Sequence, residues 1–214
     1  MSETDYDIQP HTKVVRGAKR ASYDRETVHR IIDEAIICHV STVLDGRPVM
    51  IPTAHWRAGE QFYIHGSSKN RILNALANGA EACICIAHLD GLVMARAAMH
   101  HTANYRSVVM YGKARVIEDP ALKMEQAALF IEKLAKGRWE KIRHPNSQEL
   151  KATMFLEFDM EEVSAKMRAG DPADDTEDYS VPVWAGVLPC RTVWGDPIDD
   201  SLLDRSLLGN ATPA

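Results

Sequence analysis

From Ser22 to Ala35 the apolar residues Val28, Ile31, Ile32 and Ala35 recur at the spacing of one helical face, with Ser22 or Asp24 placed to cap the first turn. The period then changes. IICHVSTVLDGRPVMIPTAHW, residues 36–56, reads as two β-rich runs joined at Asp45-Gly46, with Pro48 near a strand start. A turn at Ala58-Gly59-Glu60 leads into QFYIH, and a helix over 70–77 is stopped by Asn78-Gly79. EACICIAHLDGLVMARAAMHH resumes strand character with a turn expected at Asp90-Gly91, and YRSVVMYGKARVIE is long enough to need a bend at Gly112. Asp119-Pro120 opens a helix in which Leu122, Ala127, Leu129, Phe130 and Leu134 form an apolar stripe that Gly137 ends. TMFLEFDM returns to strand, AGDPADDTEDYS reads as a solvated acidic loop, and VPVWAGVLP is a last compact apolar motif.

Short hairpins with helices at only three places predict a mainly β fold: an antiparallel barrel with peripheral helices. Residues 1–19 are expected to be a mobile arm, 20–190 the barrel domain and 191–214 a loose tail.

Composition narrows the function classes. The 214 residues carry a formal charge of −5 at a pI near 6.0, so a nucleic acid is not an expected partner. No charge-free run approaches membrane-spanning length and MSETDYDIQP has no signal-peptide pattern, so a cytoplasmic location is expected. Cys38, Cys83, Cys85 and Cys190 are too few and too scattered for a disulfide scaffold and read as reduced.

The stretch FYIHGSSKNRILNALANG, residues 62–79, runs from strand to helix through two hydroxyls and two cations. Ser67 or Ser68 would cap the helix, and free backbone N–H groups together with Lys69 and Arg71 are the donors a phosphate takes. An ordinary capped helix start reads the same way. Neither GxxxxGK[ST] nor GxGxxG occurs, which leaves a mononucleotide-like ligand on a split barrel.

The series IPTAHW, YIHGSSKNRILNALANG, HLDGLVMARAAMHHTANYRSVVMYGKARVI, SAKMRAGDP and VPVWAGVLP resembles the pyridoxamine 5'-phosphate oxidase-like split-barrel flavoproteins. Within them it is similar to the flavin-nucleotide-binding branch related to nitroimidazole reductases. The resemblance covers about residues 20–190 and implies an FMN-binding homodimer with the flavin at the subunit interface. It places the phosphate at Ser67, Ser68, Lys69 and Arg71, and the strand beside the flavin at Pro52, Thr53, Ala54, His55 and Trp56. The closely spaced C-terminal arginine pair of true pyridoxamine 5'-phosphate oxidases has no counterpart, since Trp184 is followed by AGVLPC.

Further candidates surround that site. His100 and His101, on a strand, would point to opposite faces, one of them into the cavity. Asn104, Tyr105 and Arg106 offer an aromatic ring and a cation to a flavin edge or an anionic substrate, against the plainer reading of a turn with a surface ion pair; Arg96 and Trp184 stand similarly. Cys83 and Cys85 share one strand face, Ile84 and Ile86 the other; with His88 they fall short of a complete metal site, and none is expected.

The resulting expectation is an FMN-dependent oxidoreductase passing electrons or hydride from NADH or NADPH to a small acceptor, with His100, His101 and Arg106 as catalytic candidates. Two alternatives stay open: a non-enzymatic FMN-binding or redox-sensing module, and a haem-binding split-barrel protein with a histidine axial ligand.

Overall fold

The computed structural model describes residues 4–204, 206 and 208. Its elements are β1 (Ala21–Ser22), α1 (Arg25–Glu34), β2 (Ile37–Leu44), β3 (Arg47–Ala58), β4 (Gln61–Ser67), α2 (Arg71–Ala77), β5 (Glu81–Met94), β6 (Thr102–Lys113), β7 (Arg115–Val116), α3 (Pro120–Leu134), α4 (Ser147–Ala152), β8 (Thr153–Asp159), β9 (Glu162–Arg168) and β10 (Gly186–Pro189). All pairings are antiparallel, in the order β1-β9-β6-β5-β2-β3-β4-β8-β7. The strands β8 and β9 at opposite ends of this path are consecutive in the chain, and β6 runs through Ala114 into β7 on β8. Those two links roll the sheet into a split barrel with peripheral helices. Beyond the reach of β2, β10 pairs with β5 from Gly91 to Met94.

Local chemistry accounts for most boundaries. Asp45 and Gly46 both have positive φ, 53° and 72°, as a two-residue hairpin turn of matching twist requires. Asp24 caps α1, and Asp119 caps α3 with Pro120 in its first turn. Asn70, not Ser67 or Ser68, caps α2, because its Oδ1 accepts from the N–H groups of Ile72 and Leu73.

Asp90-Gly91 is not a turn. The strand β5 runs straight through it with a bulge between Leu89 and Gly91. A Cβ on Gly91 would stand 2.8 Å from the carbonyl oxygen of Leu188, so glycine is what lets β10 approach. The bend expected at Gly112 falls at Ala114, between β6 and β7.

The inner face of the barrel packs residues such as Val40, Phe62, Ile84 and Val108 with Val28, Ile31 and Ile32 of α1 and Leu73 and Leu76 of α2. A smaller cluster of Trp56, Tyr63, Ile117 and Phe155 lies on the opposite face of β3, β4 and β8, under Ala127 and Phe130 of α3. The expected stripe on α3 is only half right: Leu122, Leu129 and Leu134 are exposed, while Gln126 is buried and accepts from the Trp56 indole Nε1–H at 2.9 Å.

At Tyr6 the N-terminal segment packs into the core. Tyr6 is 1% exposed within the main core, lies under the Arg25 guanidinium and donates from its hydroxyl to Glu60 at 2.9 Å. Replacing Tyr6 with alanine is expected to cost about 3–5 kcal/mol in urea unfolding, as for other buried aromatic truncations. A loss below about 1 kcal/mol, the range of surface substitutions, would show that the segment contributes little to the fold.

Candidate functional site

A strand presents alternate side chains to opposite faces, so the pairings of β3, β2, β5 and β6 assign every position. Partners such as Pro52 and His39, His39 and Cys85, and Cys85 and Val109 lie on the outer face. Cys83 and Cys85 share that face while Ile84 and Ile86 enter the core, as their alternation predicts. Ile37, Val43, Met50 and Leu89 also project there and are about half exposed, from 49% to 63%. Among the described residues nothing covers this apolar half of the outer face, whereas α3 covers the half formed by β3, β4 and β8.

The strand-to-helix joint lies at the end of β4. Its backbone donors are largely taken within the chain: Ser68 N–H by Ala152, Lys69 N–H by the Ser67 hydroxyl, and Asn70 N–H by Ser67. With Asn70 holding the next N–H groups, the expected nest of free amides is absent at these positions. What remains is side chains. Lys69 and Arg71 are exposed and make no side-chain hydrogen bond or ion pair among the described residues, unlike Arg25, Arg57, Arg96, Arg106, Arg115 and Arg143. With the hydroxyls of Ser67 and Ser68, they form an uncompensated cationic donor set.

Other candidates are engaged elsewhere. Arg106 is held by both Asp90 oxygens and by Glu34, so its charge is neutralised within the protein. Arg96 pairs with Asp174 at 3.1 Å and stacks on Tyr179. Asn104 is buried on β6, donating to the Gly170 carbonyl and accepting from Arg168. His100 ends a 3-10 turn and His101 follows it, so the two do not alternate along a strand. His100 faces Asp174 across 3.5 Å, while exposed His101 contacts the Ala97 carbonyl. Ligand atoms of His100, Asp174 and Asp178 lie within 4.8 Å of one another, but Asp174 already accepts from Arg96 and from two backbone N–H groups. Tyr105 is half-buried on the outer face, and the Trp184 ring is 61% exposed against Gly186.

The stretch 52–56 divides by the same alternation. Pro52 and Ala54 face outward, whereas Thr53 points to the core side. His55 and Trp56 have at most 1% of their surface exposed, which offers no free face to a ligand on either side chain. His55 stacks on Phe62, and its Nε2 lies 3.0 Å from the Ile32 carbonyl and 3.3 Å from Lys133 Nζ. Burial, and secondarily the Lys133 charge, lower the His55 pKa to about 4, and burial lowers that of Lys133 to about 8.

His65, which the sequence reading left inside a strand, is the residue it missed. Its ring lies among Trp56, Phe130 and Phe155, with centroids 4.7–5.6 Å away, and its buried Nδ1 has no hydrogen-bond partner. It opens into a groove of about 310 Å³ walled by Phe130, Ile131, Trp139, Ile142 and Leu150, with Arg143 and Glu149 at the rim. The far wall includes α4, a helix the sequence reading did not expect, although its Asn146–Glu149 capping box is a signal in HPNSQEL that could have found it.

The family described as pyridoxamine 5'-phosphate oxidase matches residues 24–167. The chain belongs to this family. Among solved structures, the flavocytochrome Anf3 from Azotobacter vinelandii is 39% identical, covers 92% of each chain and superposes with a TM-score of 0.88. The FAD- and haem-binding protein from Mycobacterium smegmatis is 33% identical over 91% of this chain and 94% of its own, with a TM-score of 0.85. No curated protein sequence matches. Within the span matched to the pyridoxamine 5'-phosphate oxidase family lie the Ser67–Arg71 donors, His65 and the uncovered sheet face, whereas Trp184 and β10 lie beyond it.

The half-buried Lys133 of this family member has a pH signature. Its folded pKa of about 8 lies below the ordinary 10.5, so between those values the unfolded chain binds more protons and stability rises with pH. His55 acts lower: below 6.5 the unfolded imidazole protonates while the folded one does not until about 4, so stability falls as pH falls. Lys133→Met is expected to be more stable than wild type at pH 7, with the advantage shrinking toward pH 10. Urea midpoints across that range test this, and a constant difference between the two proteins would contradict the burial argument.

Proposed function

We propose that the protein is a flavin-dependent oxidoreductase that carries haem as a second redox group, with the flavin held as FAD. The observation that carries this reading is similarity across nearly the whole chain, at 39% and 33% identity, to a flavocytochrome and to a FAD- and haem-binding protein. The donor set at the end of β4 fits a flavin nucleotide: Lys69 and Arg71 are unpaired among the described residues, and Ser67 and Ser68 stand beside them. FMN, which family resemblance alone implies, would use the same phosphate contacts.

When bound, a flavin accepts hydride from NADH or NADPH and releases electrons to a small acceptor. This chain's part is to hold the phosphate by charge and to lay the ring system against the outer face near Pro52 and Ala54. Tyr105 borders the same face. The neutralised Arg106 is better suited to fixing β6 against α1 than to stabilising charge on a substrate. His100 and His101 remain candidate ligand contacts at the rim, beside Trp184. In the cytoplasm the free cysteines on the outer face stay reduced.

The uncovered apolar strip supports a homodimer. Ile37, Val43, Met50 and Leu89 from three strands form a patch that a second copy would cover by twofold symmetry, enclosing the flavin between copies. Light scattering of the flavin-loaded protein is expected to give twice the chain mass of 23.9 kDa. A flavin-saturated monomer would overturn this arrangement.

Denaturing extraction followed by mass spectrometry identifies the nucleotide, and FMN in place of FAD would revise the assignment. Turnover with NADH or NADPH separates an enzyme from a sensing module. Arg71→Ala should weaken flavin-nucleotide binding by about 1.5–3 kcal/mol, one to two decades in Kd, and leave phosphate-free riboflavin unaffected. Equal losses for both ligands would return Arg71 to a solvated helix start.

A further inference from the structure

We propose that His65 is an axial ligand of haem bound in the groove beneath α3. This rests on the reading that haem is the second cofactor, and it assigns that cofactor a place and a ligand.

The first argument is the state of the imidazole. A buried ring nitrogen without a hydrogen bond forfeits the interaction that water would have supplied, and such groups are rare in folded proteins. His65 Nδ1 is one of them. Desolvation also lowers its pKa, which keeps the ring neutral, the form that offers a lone pair to iron.

The second argument is the shape and chemistry of the surroundings. Aromatic rings of Phe130, Trp139 and Phe155 with aliphatic Ile131, Ile142 and Leu150 suit a flat apolar macrocycle. The side chain of Arg143 at the rim is 70% exposed and, among the described residues, pairs with exposed Glu149 and the His144 carbonyl. It is a cation able to turn toward the propionate carboxylates of a haem edge.

The third argument is exclusion. His29 is engaged with Tyr6 and Glu60, His88 with the Ile31 carbonyl, and His144 stacks on Trp139 and contacts its carbonyl. His55 Nδ1 is also unpartnered, but that ring is fully buried between Phe62 and Lys133, with no surface open to a ligand. His100 Nδ1 also makes no hydrogen bond but faces the Asp174 carboxylate at 3.5 Å, His11 pairs with Glu162, and His39 and His101 are exposed. The histidine that combines an unpartnered nitrogen with an apolar groove is His65.

Position supports a redox role for that placement. His55 pairs with Ile64, so one step further along the same register brings His65 level with Ala54 on the outer face. A haem on His65 would therefore adjoin the part of the sheet to which the flavin is assigned.

The experiment uses the full-length protein expressed with supplied haem precursor. Haem is counted by its pyridine haemochrome, flavin by extraction, and the axial ligand is followed in the Soret and Q-band spectrum. Wild type is expected to hold haem and flavin. His65→Ala is expected to lose at least ten-fold in haem affinity at unchanged flavin content, and added imidazole should restore the wild-type spectrum. His65→Leu, close in volume and without a ligating atom, provides the same comparison if the alanine variant fails to fold. Haem retained in either variant with an unaltered spectrum would overturn the assignment to His65. A wild-type protein that binds flavin but no haem, even on titration with haemin, would instead overturn the haem half of the proposed function. Loss of the spectrum in His100→Ala or His101→Ala, with His65 variants unchanged, would move the ligand to the rim of the barrel.

Discussion

A rolled antiparallel sheet has two faces, and only the inner one can be satisfied by rolling. Every other residue of β3, β4 and β8 must find its apolar contacts outside the barrel, and the architecture answers with α3 on one sector and, among the described residues, nothing on the next. Trp56, Tyr63 and Phe155 are buried only because a helix is laid across them. Ile37 and Met50, on the same outer surface, stay half exposed because no element among the described residues reaches them. Both proposed ligand sites lie on the outer surface, at the border between its covered and uncovered sectors.

Covering a sheet with a helix also brings polar groups into places where water is scarce. The Trp56 indole finds Gln126, and Lys133 finds the Ile32 carbonyl and His55. Each pairing spans elements remote in sequence, so each fastens α3 at a defined height over the strands. His65 is the departure from this pattern: it sits amid aromatic rings under the same helix, with nothing for Nδ1 to hold. His55 Nδ1 shares that lack, yet it is His65 that lines the groove.

Legibility in the sequence followed how local the cause was. The Asp45-Gly46 hairpin and the caps at Asp24 and Asp119 were readable because donor and acceptor lie within three residues. The face of α3 was misread because a buried glutamine looks polar until its partner, 70 positions away, is known. Tyr6 was invisible for the same reason: within a run of acidic residues its core contacts belong to helices and strands further along the chain. At the β4 end the cations were correctly singled out, yet the amides expected to help them were consumed by Asn70, a nearer acceptor than any ligand. The groove at His65 needed three segments, β4, α3 and α4, to be brought together, and no motif records that meeting.

The chain from Val116 to Thr153 departs from the sheet and returns to almost the place it left, since β7 and β8 are hydrogen-bonded neighbours through Val116 and Leu156. That excursion contains α3, α4 and most of the groove wall, while β4 supplies His65. Loops whose ends are close can lengthen or shorten at little cost in closure entropy. A lineage could therefore acquire, reshape or delete the lid within one contiguous stretch of gene and leave the pairing of every barrel strand intact. On that view the barrel is the inherited part, and the compartment built over it is a replaceable cassette.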